Sequence, residues 1–218
     1  MVTCHPLADE GELTVLPGIN EDEVADQRII SSGTCTAHGL GPVLDVLDER
    51  FGVESGFFTT VHASTSDQPS VDSWHTRSLR KGRAVANNIV PVETVAHLAL
   101  AEAMPSMRGK LSGYSLRVPI LLGSLLELDV QVRRTPSLKE LETVFRKAAE
   151  DKFSGIITVR DDQPVSSDLI ASPYSAIIDS HLLDVRDNGL VRVCFWYDNE
   201  TGFCHRLEQM LFGCLAPV

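Results

Sequence analysis

Residues 31–63 read SSGTCTAHGLGPVLDVLDERFGVESGFFTTVHA. Leu40, Val43, Leu44, Leu47 and Phe51 recur at spacings of three and four, the mark of an amphipathic helix. Pro42 is expected in a first turn, where its missing N–H costs nothing. Val53 to His62 then reads as a strand ending in Thr59-Thr60-Val61-His62. This order puts Cys35 at or near a helix N-terminus and His62 at a strand end.

The pattern extends on both sides. Residues 1–30 are polar and turn-rich, with strand-like pieces at Leu13–Leu16 and Arg28–Ile30 and a loop or single turn between them. Thirty residues are too few for an independent domain. Residues 63–80 are polar and show no period, as functional loops often do. A helix is expected over Thr94–Met104 and strands over Leu111–Pro119 and Leu125–Arg133. Ser137 with Glu140 spells a capping box, and Leu138, Leu141, Val144, Phe145 and Ala148 give that helix its buried face. Short strands are expected at 155–159 and 165–169, and a longer one over Leu190–Tyr197. A closing helix over 200–214 would turn Phe203, Leu207, Met210 and Leu211 inward. Strand runs with interspersed helices imply an α+β fold, a large mixed sheet with helices packed on one face.

Composition narrows the function. The chain has 218 residues, 43% of them hydrophobic, and a net charge of −11. That length supports a sizeable core. The acidic balance disfavours nucleic acid as a partner. Local phosphate binding stays open, because a helix N-terminus and a few arginines suffice. Five cysteines, an odd number without a CxxC pair, suggest a reducing cytoplasm rather than a disulfide framework. No apolar run approaches ~18 residues, so no membrane span is expected. The acidic start lacks the basic-then-apolar pattern of a signal peptide.

Two residues stand out chemically. A helix N-terminus favours a thiolate, so Cys35 is a candidate nucleophile, and His62 is a candidate base facing the long polar stretch. Taken alone, each reads better as a plain core residue, since free cysteine is often buried and seven histidines allow many accidental pairs. Cys194, Cys204 and His205 fit no common zinc spacing and read as buried thiols with a neighbouring histidine, so no metal site is expected.

The flanks change the balance. Residues 31–36 resemble the segment S-N-A-S-C-T-T-N of glyceraldehyde-3-phosphate dehydrogenases, and residues 59–63 match their T-T-V-H-A. Arg80 to Pro91 resembles R-R-x-R-A-x-x-x-N-I-I-P, Leu116 to Pro119 resembles F-R-V-P, and residues 196–200 are W-Y-D-N-E. The order and spacing are those of the family, over about residues 5–213. His5-Pro6, Val53 to Gly56, Asp67-Gln68 with Val71-Asp72, and Pro91 to Thr94 are closer to the erythrose-4-phosphate dehydrogenase branch.

The resemblance implies the catalytic domain of a phosphorylating aldehyde dehydrogenase, with a mainly antiparallel sheet. It would oxidise glyceraldehyde 3-phosphate or erythrose 4-phosphate through a thioester on Cys35, with His62 as base. Thr65, Asp67 and Arg117 match positions that hold the substrate's phosphate. Thr34, Thr36 and Thr94 match the set for the attacking phosphate. Asn199 matches the residue that orients the carboxamide of NAD or NADP. Hydroxyls, a helix terminus and a guanidinium suit a doubly charged anion. Residues 1–30 correspond to the end of a dinucleotide-binding domain and residues 31–218 to the catalytic domain. No G-x-G-x-x-G with a βαβ unit precedes Cys35, so the expected cofactor has only part of its site here, and a separate nucleotide-binding domain is a possible partner. By analogy the chain forms a homo-oligomer, a tetramer, with residues 63–87 near a neighbour's cofactor site.

Departures from the pattern are Ser32 for asparagine, Ala37-His38-Gly39 for T-N-C, Val95 for glycine, residues 120–124 after Pro119, and Thr201 for an aromatic. They leave the Cys–His pair intact. They also leave two other outcomes open: a Cys–His thiol esterase, and a catalytically degenerate domain kept for binding or assembly. Arg80, Lys81 and Arg83 form a basic cluster that would steer anions or simply face water.

Overall fold

The structure, a computed structural model, describes Met1, Thr3 and residues 13–27, 29–76 and 78–214. Cys4, the His5-Pro6 pair with the acidic run after it, and Arg28 lie outside the described residues. In chain order the elements are β1 (Leu13–Thr14), β2 (Ile30–Ser31), α1 (Cys35–Phe51), β3 (Val53–Ala63), β4 (Val90–Glu93) and α2 (Ala96–Ala103). There follow β5 (Leu111–Val118), β6 (Ser124–Val132), α3 (Leu138–Glu150), β7 (Ile157–Arg160), β8 (Ala176–Asp179), β9 (Asp184–Val185), β10 (Leu190–Tyr197) and α4 (Thr201–Gln209).

Eight strands form one sheet in the order β4-β5-β3-β6-β10-β8-β7, with β9 beside β10. The β3–β5 and β7–β8 pairs are parallel and every other pair is antiparallel. The α+β class, with a mixed and mainly antiparallel sheet, is therefore as expected. Strand β6 shows why one face is covered: alternate residues Leu126, Leu128, Val130 and Val132 are buried, and those between are half-buried. The buried set meets Leu40, Val43, Leu44, Leu47 and Phe51 of α1, all essentially inaccessible, with Leu141 and Phe145 of α3 and Leu100 of α2. The opposite face carries Phe57, 72% exposed, and a charged lattice in which Arg192 pairs with Glu127 and Asp129, each at 2.7 Å. Strands β1 and β2 form a separate parallel pair. Thr14 there bonds Glu102 of α2.

Helix α1 runs out and β3 runs straight back. Thr34 caps the helix, its hydroxyl oxygen accepting from the Ala37 N–H at 3.1 Å. Gly52, at φ 72°, reverses the chain into β3. Gly39 lets α1 lie close to the sheet, since a Cβ there would stand 2.6 Å from the Phe195 ring and 2.9 Å from the Ser175 carbonyl.

Several local expectations are corrected. Pro42 lies well inside α1 rather than in its first turn, so the helix forgoes the bond Pro42 would donate to His38. Ser137 does cap α3, but the Glu140 carboxylate pairs with Arg134 at 2.8 Å instead of completing the box. Leu138 is 49% exposed, outside the buried stripe. Residues 165–169 make a 3₁₀ turn, Ser166–Leu169, whose Asp168 carboxylate accepts from the Val165 N–H at 2.9 Å. The strand of that region is β8, four buried residues too short to show a period. The closing helix changes to a wider π-turn at Met210, leaving Leu211 exposed and burying Arg206. Cys204 is exposed rather than buried.

Candidate active site

The chain leaves β2 at Ser31, turns at Gly33 (φ 62°) and enters α1 at Cys35. The Cys35 thiol thus sits in the first turn of a 17-residue helix. His62 is the last residue but one of β3 and pairs across the sheet with Arg117 of β5 and Ser124 of β6. The out-and-back path of α1 and β3 closes the gap: Cys35 Sγ lies 3.6 Å from His62 Nε2.

On its other side His62 Nδ1 lies 2.8 Å from the Ala63 carbonyl. The Ala63 carbonyl can only accept and the Arg117 guanidinium beside the same nitrogen can only donate, so Nδ1 has a partner in either tautomer; in the tautomer protonated at Nδ1, Nε2 accepts the thiol proton. Arg117 Nη1 packs against His62 Nδ1 and donates to the Ala63 carbonyl at 3.2 Å. Tyr197, at the end of β10, closes the group: its ring meets His62 edge-on at 6.0 Å and its hydroxyl lies 3.1 Å from Thr36 Oγ1.

The electrostatics describe a neutral pair at rest. Burial raises the Cys35 thiol above its ordinary value, against the opposing pull of the Thr36 side chain and the Arg117 charge. Burial, then the Arg117 charge, lowers His62 to about 4. Cys35 keeps some surface in contact with solvent, and burial is still the largest influence on its thiol. The helix terminus favours a thiolate, and burial acts in the opposite direction on the thiol at rest.

The remaining predicted residues fall into two groups. Thr34, Thr36 and Arg117 adjoin the pair. Thr65 and Asp67 follow His62 in a turn in which the Gln68 N–H donates to the Thr65 carbonyl at 3.0 Å. The Asp67 carboxylate meets Lys81 at 3.1 Å, and Arg83 meets Asp72 at 3.1 Å, so part of the basic cluster is neutralised by neighbours. Thr94 stands apart: in the β4–β5 ladder Val90 faces Arg117 and Glu93 faces Tyr114, which leaves Thr94 roughly 13 Å of strand from the Arg117 position. Its hydroxyl accepts from the Ala96 N–H at 3.2 Å. Val95 takes φ −102°, a conformation that needs no glycine.

Asn199 follows β10 by two residues. The Asp198 carboxylate fixes that turn, accepting from the N–H groups of Ala171, Glu200 and Thr201 at 2.8–2.9 Å. Asn199 Oδ1 is buried and has no hydrogen-bond partner among the described residues. An acceptor held in this way suits an amide N–H₂, so the residue fits a nicotinamide carboxamide.

Sequence reasoning missed Tyr197 and Gln68. Tyr197 had a usable signal, since a tyrosine at an inward strand position must find its hydroxyl a partner. Gln68 had the three-residue spacing from Thr65 that side-chain-closed turns use.

Residues 34–199 match the family described as glyceraldehyde 3-phosphate dehydrogenase, C-terminal domain. The chain is 42% identical over 212 residues to the glyceraldehyde-3-phosphate dehydrogenase of Mycobacterium avium, covering 97% of this chain and 62% of that protein. It is 40% identical to glyceraldehyde-3-phosphate dehydrogenase 2 of Streptomyces avermitilis, covering 94% and 61%, and to that of Bacillus subtilis, covering 92% and 59%. The chain spans about three-fifths of the length of the curated relatives it matches.

Proposed function

The chain belongs to the glyceraldehyde 3-phosphate dehydrogenase family, in its C-terminal domain, and on that premise we propose that it forms a thioester on Cys35 during oxidation of a short sugar-phosphate aldehyde. The observation that carries this reading is the 3.6 Å contact between Cys35 Sγ and His62 Nε2. The relatives' names favour glyceraldehyde 3-phosphate over erythrose 4-phosphate.

Cys35 passes its proton to His62 Nε2 as the sulfur attacks the aldehyde carbon. The carbonyl oxygen takes that proton, giving a thiohemiacetal beside the N–H groups of the first turn of α1. A nicotinamide bound with its carboxamide on Asn199 supplies the hydride acceptor. His62 accepts the hydroxyl proton, and its neutral resting state keeps Nε2 free to do so. Phosphate at Thr34 and Thr36, with Thr94 at the edge of the set, opens the thioester. Arg117 and Thr65 hold the phosphate of the substrate, with Asp67 in the same set through its ion pair with Lys81 rather than by direct contact.

Residues 1–30 belong in this reading to the end of a dinucleotide-binding domain. The separate β1–β2 pair supports that. Residues 63–87 form part of a homo-oligomer contact, a role supported by the exposure of Val71, Trp74 and Leu79, each above 70%.

Acyl transfer from acetyl phosphate tests the core chemistry without any hydride acceptor. Mass spectrometry should find the acetyl group on Cys35, slowed by His62→Asn and absent in Cys35→Ser. Acetylation elsewhere, or none, would remove the thioester from the reading.

A further inference from the structure

Gln68 is buried at 8% exposure, in the turn that follows His62. Its Oε1 accepts from the Thr65 N–H at 2.9 Å and from the Thr65 hydroxyl at 3.1 Å. A backbone N–H can only donate, so the amide oxygen faces Thr65 and the orientation of the Gln68 amide is fixed. Two consequences follow. The Thr65 hydroxyl spends its only proton on Gln68 and retains only lone pairs. Gln68 Nε2, with two N–H bonds, is buried and has no partner among the described residues.

A phosphate dianion carries acceptors only. In this turn the Thr65 hydroxyl is engaged by Gln68 and must rotate away to donate to the phosphate, whereas Gln68 offers two unused donors beside it. An unpaired buried donor costs about 1–3 kcal/mol, a cost that an acceptor relieves. The surroundings agree: Arg117 interacts electrostatically with Asp67, the residue before Gln68, and with Cys35.

We propose that Gln68 is a binding residue for the phosphate of the substrate, its Nε2 donating to a phosphate oxygen while its Oε1 holds Thr65. This rests on the reading that the Arg117 side of the site receives the substrate's phosphate. It would make Gln68 a determinant of specificity, acting on phosphorylated aldehydes and indifferent to unphosphorylated ones.

The test uses the 218-residue chain and needs no turnover. Aldehydes that add to Cys35 protect it from iodoacetamide, and alkylation is read at the Cys35 peptide. Glyceraldehyde 3-phosphate and glyceraldehyde are compared in the wild type, in Gln68→Glu and in Gln68→Met. Gln68→Glu keeps an acceptor for Thr65 and replaces the donors with a charged oxygen. Gln68→Met removes both functions.

Gln68→Glu should weaken protection by glyceraldehyde 3-phosphate at least tenfold and leave protection by glyceraldehyde within twofold. Equal loss for both aldehydes, or loss confined to Gln68→Met, would assign Gln68 a structural role and overturn the proposal. Arg117→Gln separates the two levels. If it removes the preference for the phosphorylated aldehyde while Gln68→Glu does not, Gln68 alone is wrong. If neither variant changes the preference, the phosphate reading falls with it.

Discussion

The Tyr197 hydroxyl and Thr36 Oγ1 stand 3.1 Å apart, joining the end of β10 to the turn of α1 that carries Cys35. The bond is buried, and burial raises the Tyr197 hydroxyl above its ordinary value, so it stays protonated. Tyr197→Phe should keep the fold and slow acetylation of Cys35 by about fivefold to tenfold, the equivalent of one neutral hydrogen bond. Rates of acetyl transfer measured on both proteins decide this, and unchanged rates would restrict Tyr197 to packing.

Alkylation of Cys35 should accelerate with pH through a midpoint above the ordinary thiol value of ~8.5. Burial raises the thiol, and His62, lowered to about 4, is uncharged above that pH and offers no cation to hold a thiolate. Arg117→Gln should move the midpoint higher still by removing a positive charge. A flat rate between pH 5 and 7 would mean a resting thiolate–imidazolium pair instead. The assay must read the Cys35 peptide itself, because Cys204 is exposed.

Acid should destabilise the fold through two buried histidines. His38 and His62 are each lowered from 6.5 to about 4, chiefly by burial. Between those values the unfolded chain binds more protons than the folded one, so stability falls as pH drops from about 6.5 to 4. The loss is on the order of 3 kcal/mol per histidine when complete. Urea midpoints at pH 7 and pH 4.5 should differ, and His38→Asn should shrink the difference. An unchanged difference in that variant would remove His38 from the account.

Gly39→Ala should destabilise the protein by about 1–3 kcal/mol, because the added methyl meets the Phe195 ring and the Ser175 carbonyl. Thermal melts would show it. A neutral result would mean that α1 shifts outward, and the acetylation rate of Cys35 should then fall.

The helix face that places Cys35 was legible because Leu40 to Phe51 carry a clean three-to-four period, and the strand that places His62 because Phe57 to Val61 is an aromatic and β-branched run. Strand β8 was not, since a fully buried run of four residues has no polar partner positions to alternate with. The burial of Arg206 left no sequence signal for a related reason: hydrophobic patterning assigns a guanidinium to water, yet here one N–H reaches the Gly155 carbonyl at 3.2 Å under the closing helix. The site residues near Cys35 were readable from the motifs. The resting charge of the thiol was not, because burial is a property of the packed protein rather than of the helix terminus alone.

The reversal at Gly52 makes the reacting pair a matter of matched lengths. Sixteen steps of helix advance roughly 24 Å, and nine steps of strand return roughly 30 Å. A residue removed from the middle of α1 would swing Cys35 by about 100° around the axis, and one removed from β3 would turn the imidazole to the far side of the sheet. Drift in this stretch is therefore confined to substitution, while the irregular segment beyond the Thr65–Gln68 turn is under no such register.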